Sequence, residues 1–155
     1  MRMLILLTVL LGASPTLALI DCPDIPNLSK RVDSAELVLV GTIARIDDPN
    51  GVIADNMREL GHVYCGNVRV SFKALQALKG VLKPSVEFEC YWCFLELNGC
   101  KASPKLQVGK IAVVFLSTQG AALSIEGGAY GVLYPSESEL LDLKKQIAAS
   151  LGKGP

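Results

Sequence analysis

The sequence predicts a single all-β to β-rich α+β domain, and three patterns predict it: apolar and polar residues alternate through its middle, continuous apolar runs flank that region, and a capped amphipathic stretch closes the chain. In Asn67-Val68-Arg69-Val70-Ser71-Phe72-Lys73-Ala74 the apolar side chains fall on even numbers and the polar ones on odd. That is the period of an extended chain with one wet face. Val86-Glu87-Phe88-Glu89-Cys90 repeats it. Residues 37–43 and 111–116 are continuous apolar runs, suited to more deeply buried strands. A shorter strand is expected from Ala122 to Ile125. Five strands result, antiparallel in the simplest connection.

The period changes at the end of the chain. Ser136 and Glu139 have the spacing of a capping box, in which the serine hydroxyl accepts from the amide three residues on and the glutamate reaches back. Leu140, Leu143, Ile147 and Leu151 then recur along one face, and Gly152 follows as a stop. A helix over about 137–151 is the consequence, its apolar face packed on the sheet. Asp47-Asp48-Pro49-Asn50-Gly51 is a dense cluster of turn formers, with a short helix or an excursion after it to Gly61. A second loop is expected from Asn98 through Pro104. With no repeat, low-complexity tract or dividing linker, residues 19–155 read as one domain.

Residues 1–18 read as a secretory leader. Arg2 supplies the positive start, residues 4–11 an apolar core too short to span a bilayer, and Thr16-Leu17-Ala18 the small residues of a cleavage site after Ala18. Asp21 before Cys22 opposes lipoprotein processing. Secretion or a periplasmic location is expected, with no membrane attachment after cleavage. The 15 basic and 15 acidic residues and single histidine leave no net field to attract nucleic acid.

Cys22, Cys65, Cys90, Cys93 and Cys100 all follow the leader, so disulfides are the default. Five is odd: at most two bridges form within a chain, and the fifth cysteine is a buried thiol or a disulfide link to a partner. Cys90 and Cys93 have the spacing of a redox pair, and a thiol-disulfide oxidoreductase using them is one alternative function. Against it, the motif ends a strand, where residues three apart lie about 10 Å from each other, beyond the roughly 7 Å a bridge tolerates. A zinc site from Cys90, Cys93, Cys100 and either Cys22 or Cys65 is opposed by the oxidising compartment, and no metal or cofactor is expected. His62 is the only candidate for a histidine base and nothing beside it in sequence forms a catalytic motif, so a non-enzymatic protein is expected. Asp47, Asp48 and Asp55 lack the alternate-residue spacing of a calcium loop. Asn27-Leu28-Ser29 is a glycosylation acceptor if the source is eukaryotic.

The order of parts resembles the tissue-inhibitor-of-metalloproteinases-like, or netrin-like, domains. A cysteine soon after the leader and a short helix precede Ser34-Ala35-Glu36-Leu37-Val38-Leu39-Val40-Gly41-Thr42-Ile43, which is similar to that family's opening strand. Residues 70–80, ending in Lys79-Gly80, look like its second strand and turn. Gly99-Cys100 resembles the cysteine after strand three, and residues 108–116, with Gly109-Lys110, resemble strand four. The likeness spans about 22–134. It implies a five-stranded OB-like antiparallel barrel with a short N-terminal helix. It also implies a binding module that contacts another extracytoplasmic protein or a ligand through barrel loops, with Asp47, Asp48, Asn50, Asp55, Arg58 and His62 as loop candidates. Protease inhibition is the alternative it carries. That activity requires a cysteine at the mature N-terminus, whereas cleavage after Ala18 leaves Leu19, Ile20 and Asp21 ahead of Cys22. Cys22 then becomes one half of a bridge to Cys90, Cys93 or Cys100.

Overall fold

A computed structural model describes residues 26–49, 51–52, 65–93, 96–97, 100–101 and 103–152, with backbone alone at 93, 96–97 and 100–101. Helix α1 (Leu28–Ser34) leads into β1 (Leu37–Asp47), β2 (Cys65–Lys79) and β3 (Ser85–Cys93). A small hairpin of β4 (Glu96–Leu97) and β5 (Cys100–Lys101) follows, then β6 (Ile111–Gln119), β7 (Ala122–Ile125), a 3-10 turn (Gly128–Tyr130), β8 (Val132–Leu133) and α2 (Glu137–Leu151).

The strands run β1-β2-β3-β7-β6, and β6 pairs back onto β1, closing a five-stranded OB-like barrel; β8 adds a sixth strand on β6. Closure removes the exposed edges that an open sheet of these apolar strands would present. Four of the five junctions are antiparallel, but β3 and β7 run parallel. The barrel is therefore mixed rather than purely antiparallel. The hairpin β4–β5 also breaks the loop expected from Asn98 to Pro104.

Alternation in β2 and β3 does what its period dictates. Val68, Val70, Phe72, Val86, Phe88 and Cys90 are buried in the barrel, while Asn67, Arg69, Lys73, Glu87 and Tyr91 are exposed. Phe72 and Phe88 meet as a tilted pair with ring centroids 6.3 Å apart. Truncating such a core aromatic to alanine costs about 3–5 kcal/mol. Strands β1 and β6 lack alternation because both of their faces are covered. Leu39, Ile43, Ala112, Val114 and Leu116 face the barrel interior, and Val38, Val40, Val113 and Phe115 join a second cluster with Val32 of α1 and Ile147 of α2. Gly41 permits the β1–β2 approach: a Cβ there would stand 2.8 Å from the Phe72 ring and closer still to the Lys73 carbonyl.

Asn27 caps α1, its Oδ1 accepting from the Lys30 amide at 2.8 Å. Arg31 ties that helix to the turn before β8, with Nη1 donating to the Tyr130 carbonyl at 2.7 Å and the guanidinium 5.2 Å from the Phe115 ring centroid. Burial lowers the Arg31 pKa from its ordinary value. The Ser136–Glu139 capping box forms at the start of α2, and those hydrogen bonds from Ser136 hold the Glu139 carboxyl below its usual range. One detail of α2 differs from expectation: Leu151 in its last turn is 40% exposed, while Gly152 ends the helix as expected, in a right-handed conformation.

Candidate binding cleft at the barrel seam

The parallel junction is the weak point of the barrel wall. Only one register pair, Glu89 with Ser124, joins β3 to β7, whereas β2 and β3 pair continuously from Cys65–Cys93 to Lys73–Ser85. A strand of four residues cannot follow β3 along its length, and the divergence opens a cleft of about 260 Å³ on the outer face. Asn67 of β2, Glu89 and Tyr91 of β3, Gln119 at the β6–β7 turn and Ser124 of β7 supply its polar groups. Pro104, Ala122 and Ile125 supply apolar wall.

Ser124 carries the clearest chemical mark in this cleft. Its hydroxyl is buried and, among the described residues, has no hydrogen-bond partner. An unmade bond of that kind costs about 1–3 kcal/mol relative to a satisfied one. Tyr91 stands at the lip with 61% of its surface exposed. Among the described residues the ionisable side chains on the lining are the Cys90 thiol, the Glu89 carboxyl and the Tyr91 phenol.

Cys90 borders the cleft but belongs to the interior. It is a free thiol, 2% exposed, and burial pushes its pKa up to about 12. Such a thiol is protonated at neutral pH and closed to solvent, the opposite of the activated thiolate that redox chemistry uses. Cys90 is thus the buried free thiol that the odd cysteine count allows, and as a free thiol it does not form the Cys22–Cys90 bridge considered from sequence. Tyr134 is packed against the same core and its hydroxyl accepts from the Gln107 amide at 2.7 Å; burial raises its pKa as well.

The other expected site residues are dispersed. Cys65 is disulfide-bonded, and it stands opposite Cys93 in the β2–β3 register. The side chains of Cys93 and Cys100 lie outside the described residues, as does Cys22 altogether. Asp47 pairs with Arg45 at 2.8 Å, and the Asp48 carboxylate accepts from the Val52 amide at 2.8 Å while its carbonyl accepts from Gly51. Asp48 thus closes a polar turn. Asn50, Asp55, Arg58 and His62, with the leader through Ala18, lie outside the described residues. Among the described residues no group of His, Cys, Asp and Glu side chains is gathered as metal ligands, and no helix is long and apolar enough to cross a membrane.

Sequence reasoning missed the cleft. Strand parity does turn Asn67, Glu89 and Tyr91 outward together, but nothing local brings Gln119 and Ser124 to them, because that depends on a parallel junction between segments about thirty residues apart. No protein-family model matches this chain, and no curated protein does.

Proposed function

We propose that this protein is an exported, non-enzymatic binding module of the netrin-like type that takes its ligand at the β3–β7 seam. The observation that carries this reading is the position of the cleft. It opens on the outer face of β2 and β3 beside the β6–β7 turn, and OB barrels bind their ligands on the face of the second and third strands and the adjoining loops. The enclosed, protonated Cys90 weighs against a thiol enzyme.

The test has two parts. The chain is produced with its leader, the exported fraction is weighed by mass spectrometry, and a photo-crosslinking amino acid is placed at Asn67 or, as a control, at Lys145 on α2. Export with a mature start at Leu19 and a crosslink that forms from position 67 alone support the reading. A mature N-terminus at Cys22 would return protease inhibition to first place, and crosslinks from neither position, or from both equally, would remove the seam from the function.

A further inference from the structure

We propose that the seam cleft is a subsite for one ring of an uncharged saccharide, an inference that rests on the reading of the seam as the ligand face. Four features of the cleft select that chemistry. The first is charge. Among the described residues no cation lines the cleft, Glu89 contributes a carboxylate, and the chain as a whole carries 15 basic against 15 acidic residues. Binding of phosphate or sulfate backbones rests on uncompensated Lys and Arg. Glu89 repels such ligands.

The second is the kind of hydrogen-bonding group. The Asn67 and Gln119 amides each offer donors and an acceptor, Glu89 offers acceptors, and Ser124 offers both. A row of sugar hydroxyls, each able to donate and accept, matches this mixed set, whereas a purely anionic or purely apolar ligand leaves part of it unpaired. The third is the orphan Ser124 hydroxyl, which is buried and gives up no bond within the described residues if its side chain turns toward a ligand hydroxyl in the cleft. The fourth is Tyr91, an aromatic ring 61% exposed at the lip, placed to cover the apolar face of a ring whose edge hydroxyls enter the cleft. Size limits the occupant further: about 260 Å³ lies just under the roughly 300–1,000 Å³ of drug-sized sites. One ring fits, and the rest of an oligosaccharide must run along the outer face of β2 and β3.

The isotope-labelled mature protein is titrated with cellotriose, maltotriose and chitotriose, each to about 20 mM, a range that reveals even weak millimolar binding. Backbone amide shifts are followed, with an oligothymidylate and a neutral extended hexapeptide as competing probes. At least one trisaccharide is expected to shift Asn67, Glu89, Tyr91 and Ser124 saturably. Tyr91→Ala should weaken that binding about tenfold or more while leaving the melting temperature unchanged, since the ring is exposed. Gln119→Ala should weaken it several-fold. A wild-type affinity in Tyr91→Ala overturns the saccharide subsite. So does saturation of the same residues by the peptide or the oligonucleotide but by no trisaccharide, although that result keeps the seam as a ligand face. Silence from all five ligands overturns the subsite and the seam reading together.

Discussion

The Lys79 ammonium donates to the Val32 carbonyl at 2.7 Å and to the Asp33 carbonyl at 3.2 Å, so the last residue of β2 closes the C-terminal end of α1. Those carbonyls have no partner within the helix, and a cation is favoured at that end of the helix dipole. Gly80 follows with a positive φ of 80° and lies against Leu37, which lets the chain turn away directly after the contact. Lys79→Met keeps the aliphatic stem and removes the donor. It should cost about 1–3 kcal/mol in denaturant unfolding, and hydrogen exchange should show α1 opening ahead of the barrel.

Two glycine-to-alanine changes should have opposite signs. At Gly41 a Cβ would collide with backbone carbonyl and ring atoms of β2, and neither can move without parting β1 from its neighbour. Gly41→Ala should destabilise by about 1–3 kcal/mol. Gly152 has right-handed helical angles and nothing nearer than 3.5 Å to a built Cβ. Gly152→Ala should be neutral to slightly stabilising, by about 0.4–1 kcal/mol, through the unfolded chain. Chemical denaturation of both variants beside the wild type checks the pair.

These contrasts also mark how far the sequence speaks for the fold. The parity of residues 67–74 and 86–90, the capping residues Ser136 and Glu139 and the unbroken runs in β1 and β6 each report a local constraint, and each appears in the structure where the pattern puts it. The runs in β1 and β6 are explained only in three dimensions, since Val38 and Phe115 face helices while Leu39 and Val114 face the barrel. The β3–β7 junction leaves no comparable mark, because a single pair between Glu89 and Ser124 imposes no periodicity on either strand. Its consequence, the cleft, is equally silent in the sequence. Ser124 reads there as an ordinary polar residue in a short strand.

Cys90 should make stability fall at alkaline pH. Its thiol pKa is pushed up by burial from an ordinary 9.0 to about 12 in the folded protein, so the unfolded chain releases the proton first as pH rises. The native-state advantage is whole below about pH 9 and declines between there and about pH 12. Denaturant midpoints measured at steps from neutral pH to about pH 10.5 should fall more steeply for wild type than for Cys90→Ala. The alanine variant starts from a lower stability, because the change leaves a small cavity in the barrel. Parallel curves for the two proteins would show that Cys90 is not the group responsible. In native protein the same thiol should resist maleimide at neutral pH and react on unfolding.

A disulfide map of the protein tests the placement of all five cysteines. Cys90 is free and enclosed and Cys65 is bonded, which leaves Cys22, Cys93 and Cys100 as the possible partners of Cys65. The register favours Cys93. It lies directly across from Cys65 at the open end of the β2–β3 ladder, and residues so paired have Cα atoms about 4.5–5.5 Å apart, inside the range a disulfide bridges. Peptide mapping without reduction is therefore expected to recover Cys65 joined to Cys93 and an alkylatable Cys90 in denatured protein. A second fragment joining the two remaining cysteines, Cys22 and Cys100, is expected beside it. A fragment joining Cys65 to Cys22 or Cys100 would place the staple elsewhere, and recovery of Cys90 in any disulfide would contradict the barrel interior described above.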